Sequence, residues 1–279
     1  MQIDNSCFFN EIYIHSHVVI VKLKIKSETS NINQQTLNAN MNVQIFIPCF
    51  IDQLYPSTAF NMVKVLEKAG CKVSYNKNQT CCGQPAFNAG FWDESKAVCS
   101  KFMKDFEGTD YIVAPSASCV GFVRNYFPKL FDNSSVHHEV VKLGERTFEL
   151  SDFLVNVLGK TDFDAKLNGK ATYHDSCAAL RECKIKQEPR TLLSKVQGLE
   201  LVEMDDVETC CGFGGTFAVK FESISVAMAD QKVTHALATG AKYIISTDHS
   251  CLMHIGGFIK QKGYDLKTMH IADVLAEGW

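Results

Sequence analysis

The chain of 279 residues is 46% hydrophobic and 21% charged, with a formal net charge of −3, an ordinary balance for a globular protein. No run of Lys and Arg stands out, which argues against a nucleic-acid partner, and no stretch approaches the ~18 consecutive apolar residues of a membrane span. Twelve cysteines with no secretory signal before them point to a reducing cytoplasm, where clustered thiols mean metal binding or redox chemistry rather than disulfides.

Residues 1–40 contain no Gly, Pro or Arg and are rich in Ile, Asn and Lys. They read as an N-terminal extension, and this composition predicts a translation start at Met41. No chemistry is assigned to Cys7, His15 or His17. Val43 to Ile47 is an apolar run closed by Pro48-Cys49, which predicts a buried strand. Pro56 to Ala69 has helical spacing and stops at Gly70. Residues 71–75 read as a second strand, followed by a polar loop carrying Cys81-Cys82-Gly83. A helix is expected from Phe91 to Phe106. A third strand, Tyr111 to Ala114, leads to Cys119, and an amphipathic stretch follows through Phe131. Phe148 to Leu158 reads as a further helix, ending at Gly159.

The second half repeats this order. Ala171-Thr172-Tyr173 leads to His174-Asp175-Ser176-Cys177. A helix is expected from Glu188 to Val196 and a strand from Leu199 to Val202. Then come Cys210-Cys211-Gly212 and a long helix through Leu237. The strand Tyr243 to Ser246 ends near Cys251, and a final helix spans Ile271 to Glu277. Strands separated by helices imply right-handed crossovers and parallel sheets. The fold class is therefore α/β: two related parallel-sheet units, 41–165 and 166–279, with cysteine-bearing loops at the carboxyl ends of the strands, where open α/β folds place their sites.

The cysteines carry the sharpest signal. Cys49 precedes Cys81 by 32 positions and Cys177 precedes Cys210 by 33; Cys82 precedes Cys119 by 37 and Cys211 precedes Cys251 by 40. Core packing does not need sulfur at fixed positions. Three loci on three neighbouring strand ends can converge on one object, provided the backbone turns at the Cys-Cys pair, and Gly83 and Gly212 supply that freedom. Four thiolates suit an iron–sulfur cluster or structural zinc. Adjacent Cys-Cys pairs are unusual in zinc ribbons. Thiol–disulfide exchange is a third possibility.

Other candidates are weaker. His174 and Asp175 lie close before Cys177, and His174 could tune or ligate a metal or carry a proton. His249 stands beside the third locus, with His254 further off. Arg181 and Lys220 read as surface cations, and Phe213 and Phe217 as walls. Gly212-Phe213-Gly214-Gly215 lacks both the dinucleotide fingerprint and the Walker Lys-Ser/Thr, so it reads as a flexible turn. Cys71 and Cys99 fall in apolar patterns and read as core. The surroundings of Cys183 are more polar, and it is left unassigned.

Three strings carry a resemblance: Cys-Cys-Gly-Gln-Pro-Ala-Phe-Asn-Ala-Gly (81–90), Cys-Cys-Gly-Phe-Gly-Gly-Thr-Phe-Ala-Val-Lys (210–220) and Met-His-Ile-Ala-Asp-Val-Leu (269–275). From Met41 onward the chain resembles the lactate utilisation protein A family of the cysteine-rich CCG superfamily. That superfamily includes the B subunit of heterodisulfide reductase and the iron–sulfur subunits of glycolate and glycerol-3-phosphate dehydrogenases. The resemblance implies a cytoplasmic subunit that works with two other lactate-utilisation subunits, one an iron–sulfur protein, in oxidising L-lactate to pyruvate. The chain has no flavin or nicotinamide fingerprint, so the primary expectation is an electron-transfer subunit, with one redox centre held by Cys49, Cys81, Cys82 and Cys119 and the other by Cys177, Cys210, Cys211 and Cys251. A zinc-stapled assembly subunit and a heterodisulfide-reductase-like thiol/disulfide oxidoreductase are the alternatives. The fuller superfamily pattern has Cys-x-x-Cys at the third locus; here Ser116 and Asp248 stand in its first position, leaving four thiols per site.

Overall fold

A computed structural model describes residues 41–279; the extension 1–40, on which the expected start at Met41 turns, lies outside the described residues. The first half runs β1 (Asn42–Ile45), α1 (Cys49–Leu54), α2 (Pro56–Lys68), β2 (Lys72–Tyr75), α3 (Gln84–Ala89), α4 (Trp92–Asp105), β3 (Tyr111–Ala114), α5 (Ala117–Asn125), α6 (Phe127–Leu130), α7 (His137–Glu145), β4 (Thr147–Glu149) and α8 (Leu150–Asp152), which continues as a π-helical turn over Phe153–Val157. The second runs β5 (Lys166–Tyr173), a π-helical turn over Ala178–Glu182, α9 (Gln187–Leu193), β6 (Gln197–Leu201), α10 (Thr216–Lys220), α11 (Glu222–Ala238), β7 (Tyr243–Ser246), α12 (His249–Lys262), β8 (Lys267–His270) and α13 (Ile271–Leu275).

Each half forms a four-stranded sheet in which every pairing is parallel, with orders β2-β1-β3-β4 and β6-β5-β7-β8. The central strands are apolar on both faces, as helix-covered parallel strands must be: Ile112, Val113 and Ala114 are buried, as are Ile244 and Ile245. Connections leave in opposite directions from β1 and β3, and again from β5 and β7. Each sheet therefore has a crevice at its carboxyl edge. Among the described residues no helix is long and apolar enough to cross a membrane.

The structure corrects the expected elements in several places. Phe148 to Leu158 is not one helix. Thr147–Glu149 pairs in register with Ile112–Ala114, and helical backbone starts at Leu150. A three-residue edge strand gives too little alternation for periodicity to detect, and the Leu150, Leu154, Leu158 spacing extends the helical signal back over it. Strand β8 escaped notice for the same reason. The helices α7 and α12 were also not expected; Gly256-Gly257 interrupts the α12 pattern. The final helix ends at Leu275, two residues short of Glu277. Recognising β4 and β8 lengthens the internal repeat: Thr147-Phe148-Glu149-Leu150-Ser151-Asp152 matches Thr268-Met269-His270-Ile271-Ala272-Asp273. Glu149 and His270 cap the helices that follow them, Glu149 through Ser151 N–H and His270 through Ala272 N–H.

The halves pack reciprocally. Helix α2 lies on α13, while α9 lies on α8 and its π-turn; α5 meets the 178–182 turn, while α12 meets α1; α3 meets α10. One apolar core crosses between them, with Val43, Ile45 and Met62 beside Ala171, Tyr173 and Val274. Thr58 Oγ1 adds polar ties, hydrogen-bonding His249 Nε2 at 2.8 Å and donating to Asp273 at 2.8 Å.

Candidate functional site

In each half the strand ends deliver four thiols to one place. Cys49 opens α1 after β1, Cys81-Cys82 follows β2, and Cys119 lies in the first turn of α5 after β3. In the second half Cys177 follows β5, Cys210-Cys211 follows β6, and Cys251 lies in the first turn of α12. Cys49, Cys119, Cys177 and Cys251 thus sit at helix starts, while both Cys-Cys pairs lie in loops. Cys49 Sγ is 3.9 Å from Cys81 Sγ, and Cys82 reaches both Cys81 and Cys119 through its thiol. The second set repeats the chain of contacts, Cys177 to Cys210 and Cys211 to both Cys210 and Cys251. Burial repeats too: Cys82, Cys119, Cys211 and Cys251 are buried, while Cys49, Cys81, Cys177 and Cys210 are half-buried.

The CCG turn is built the same way twice. Gly83 and Gly212 have φ of +92° and +93°, and each donates its N–H to the first thiol of the pair, Cys81 or Cys210, at 3.4 Å. The turn is braced from behind by a serine: Ser95 Oγ donates to Gly83 O at 3.0 Å and Ser225 Oγ to Gly212 O at 2.8 Å. A Cβ at Gly212 would stand 2.6 Å from Ser225 O, so both backbone conformation and space require glycine there. Sequence reasoning missed these serines. Their signal lay in the repeat, since Ser95 follows Cys81 by 14 positions and Ser225 follows Cys210 by 15.

Crowding separates the thiols electrostatically. Cys81, accepting from Cys49 Sγ and from Gly83 N–H, is held well below the usual thiol range, and so is Cys210, beside Cys177 and Cys211 and accepting from Gly212 N–H. Their neighbours Cys49, Cys82, Cys177 and Cys211 are pushed up, chiefly by hydrogen bonding between the thiols and then by burial and neighbouring thiolates. Thiolates gathered in this desolvated space raise one another's pKa. Four thiolates require a cationic centre among them. The 3.9 Å separation of Cys49 and Cys81 is close to the spacing of about 3.8 Å between sulfurs on one tetrahedral metal. The donor set therefore fits a thiolate-held metal or iron–sulfur centre.

Ser116 and Asp248, where the fuller superfamily pattern has cysteine, are helix caps. Ser116 Oγ accepts from Cys119 N–H at 3.5 Å, and Asp248 accepts from Ser250 N–H at 3.3 Å. Asp248 also accepts from Ser118 N–H at 2.8 Å, joining the third locus of one half to that of the other.

The remaining candidates divide. His174 is fully buried, and one of its ring nitrogens lies with Cys211 Sγ and Cys251 Sγ inside a 4.8 Å span. Burial, and then the nearby Lys232 ammonium, push its imidazole down to about 3. Asp175 is engaged bidentately by Arg190 at 2.9 Å. His249 stacks between Tyr55 and His270, and burial pushes it down to about 2. His254 hydrogen-bonds Ser225 Oγ at 3.1 Å and so supports the second CCG turn. Phe213 meets Phe50 edge-on across the two halves, and Phe217 packs on Phe221. Arg181 and Lys220 are exposed. Cys71 is core, and Cys183 is buried with its thiol on Ala117 O. Cys99 is core as well, yet it touches the first site, donating to Cys82 O at 3.7 Å. Lys232 was not anticipated: it is buried and donates to Asp206 O and Val207 O, holding the loop that leads to Cys210.

A family model described as a cysteine-rich domain, CCG, matches residues 43–124 and 171–256, one match in each half. Lactate utilization protein A 2 of Bacillus cereus (strain 03BB102) is 44% identical over 239 residues, 85% of this chain and 99% of the relative. The chain belongs to the lactate utilization protein A family. Another member, lactate utilization protein A of Halalkalibacterium halodurans, is 46% identical over 235 residues, 84% of this chain and 96% of its own. Among solved structures, a hypothetical protein from Helicobacter pylori aligns with a TM-score of 0.50 at 12% identity, over 84% of this chain. This chain covers 48% of that one, and the likeness is one of fold. The family's CCG matches span all eight thiols of the two sites.

Proposed function

We propose that this chain is the electron-transfer subunit of a cytoplasmic assembly that oxidises L-lactate to pyruvate, with one iron–sulfur centre in each of its two CCG units, 41–165 and 166–279. The observation that carries the reading is the doubled convergence of four thiols, in a chain whose relatives are named for lactate utilization. Lactate gives up two electrons and two protons on becoming pyruvate. Centres of this kind, when bound, accept and release electrons one at a time. The chain's own residues hold the centres, fix the CCG turns and exclude water from the inner thiol pair. Its outer pair lies half-buried at each rim. Exposed apolar side chains follow each CCG turn, Phe91 and Trp92 in the first half and Val219, Phe221 and Ile224 in the second. These suit docking of two partner subunits, one itself an iron–sulfur protein.

His174 beside Cys211 and Cys251 favours a second reading, in which zinc held by mixed Cys and His donors staples an assembly module without redox work. Anaerobic purification of the full chain, followed by iron, acid-labile sulfide and zinc analysis, tests the two. Iron with labile sulfide is the expected result. Stoichiometric zinc without iron would overturn the electron-transfer reading.

A further inference from the structure

The two sites agree in their thiols, their CCG turns and their serine braces, yet they differ behind the thiols. His174 lies three residues before Cys177; the residue three before Cys49 is Phe46. Each follows directly on the first strand of its half, and their backbones bond alike, Phe46 N–H to Val113 O at 2.9 Å and His174 N–H to Ile245 O at 2.8 Å. The two side chains therefore start from equivalent points. Phe46 goes into an aromatic cluster, edge-on to Phe102 at 4.9 Å. The counterpart of Phe102, seven residues beyond the brace serine, is Lys232. An aromatic pair behind the first site is thus replaced by imidazole and ammonium behind the second.

Lys232 finds acceptors in Asp206 O and Val207 O. His174 finds none: neither ring nitrogen has a hydrogen-bond partner, and the residue is wholly buried. A buried polar atom left unpaired bears its full desolvation penalty. Phe46 demonstrates that the fold accepts a hydrocarbon ring at this point without that cost. The ring nitrogen instead lies within 4.8 Å of two thiols, not far from the separation of about 3.6 Å for imidazole nitrogen and thiolate sulfur on one metal.

We propose that His174 is a ligand of the centre held by Cys177, Cys210, Cys211 and Cys251, so that the second site has five donors and the first has four. This rests on the reading of the thiol clusters as metal-holding, though not on which metal they hold. The two centres are then chemically unlike, although the frame that carries them is duplicated.

The test is X-ray absorption at the edge of whichever metal, iron or zinc, the anaerobically purified untagged chain retains. It uses the Cys81→Ser/Cys82→Ser protein, so that the second site dominates. Imidazole scattering beside the sulfur shell is expected, and it should vanish when His174→Phe is added, with metal still held by four thiols. An all-sulfur shell with His174 intact, or imidazole scattering that survives His174→Phe, would overturn the proposal. Should His174→Phe not fold, the His174-intact spectrum decides alone. Zinc with imidazole would sink the electron-transfer reading and leave this one standing. A chain that retains no metal would sink both.

Discussion

Cys211 is the most buried thiol of the second site, 1% exposed, and it lies beside both Cys210 and Cys251. Replacing it with serine keeps the shape and removes a soft donor. Cys211→Ser should therefore lower the bound metal by roughly half, the share of one site in two, while far-UV circular dichroism stays native. Unchanged metal content would remove Cys211 from the ligand set. Glu149 offers a test of a different kind. It is fully buried, with one oxygen accepting from Ser151 and Asp152 and the other unpartnered. Burial raises its carboxyl from 4.5 to about 8. Below pH 4.5 both folded and unfolded chains hold the proton, and the associated stability is fully present. Between pH 4.5 and 8 only the folded chain holds it, so stability falls as pH rises, by a few kcal/mol over that window. Glu149→Gln should flatten this dependence. Urea unfolding at pH 5 and pH 8 would check it, and an equal slope in both proteins would refute the assignment.

At the scale of elements, the third locus of each site is positioned by a capped helix. Ser116→Ala should cost about 1 kcal/mol, the usual worth of such a cap. Asp248→Ala should cost more, because Asp248 also accepts from Ser118 N–H across the halves. Denaturant midpoints with unchanged slopes would measure both, and equal losses would mean that the cross-link contributes nothing. These two residues show what was legible in the sequence. Against the superfamily pattern they read as absent thiols; their positive role follows from the rule that Ser and Asp favour helix N-caps. The α/β class, the duplication and the eight thiol positions were legible because central strands are continuous apolar runs and because cysteine spacing repeats. Strands β4 and β8 were not, being edge strands of three and four residues. The meeting of Thr58 with His249 and Asp273 was not legible either, since nothing local marks a contact across 191 and 215 positions.

For the whole molecule, the shared core sets cooperativity. Strands β1 and β5 contribute to one apolar cluster, and α2 and α9 each bury themselves against the other half. Neither sheet can lose its partner without exposing that cluster. Thermal unfolding of residues 41–279 should accordingly be one transition, with calorimetric and van't Hoff enthalpies in agreement. Two resolved transitions would mean that the halves are thermodynamically separate despite their common core.

The reciprocal packing has a further consequence. Helix α2 on α13 and α9 on α8 are the same contact made twice, which is the pattern of an isologous interface between two subunits. The chain has the geometry of a symmetric dimer whose protomers have been joined end to end. In a true homodimer every substitution appears at both sites at once, so the two thiol sites must stay identical. Covalent joining lifts that constraint. Phe46 can stay hydrocarbon while its counterpart becomes His174, and Phe102 can stay aromatic while its counterpart becomes Lys232. Symmetry then belongs to the scaffold alone, and the surroundings of each thiol site are free to diverge.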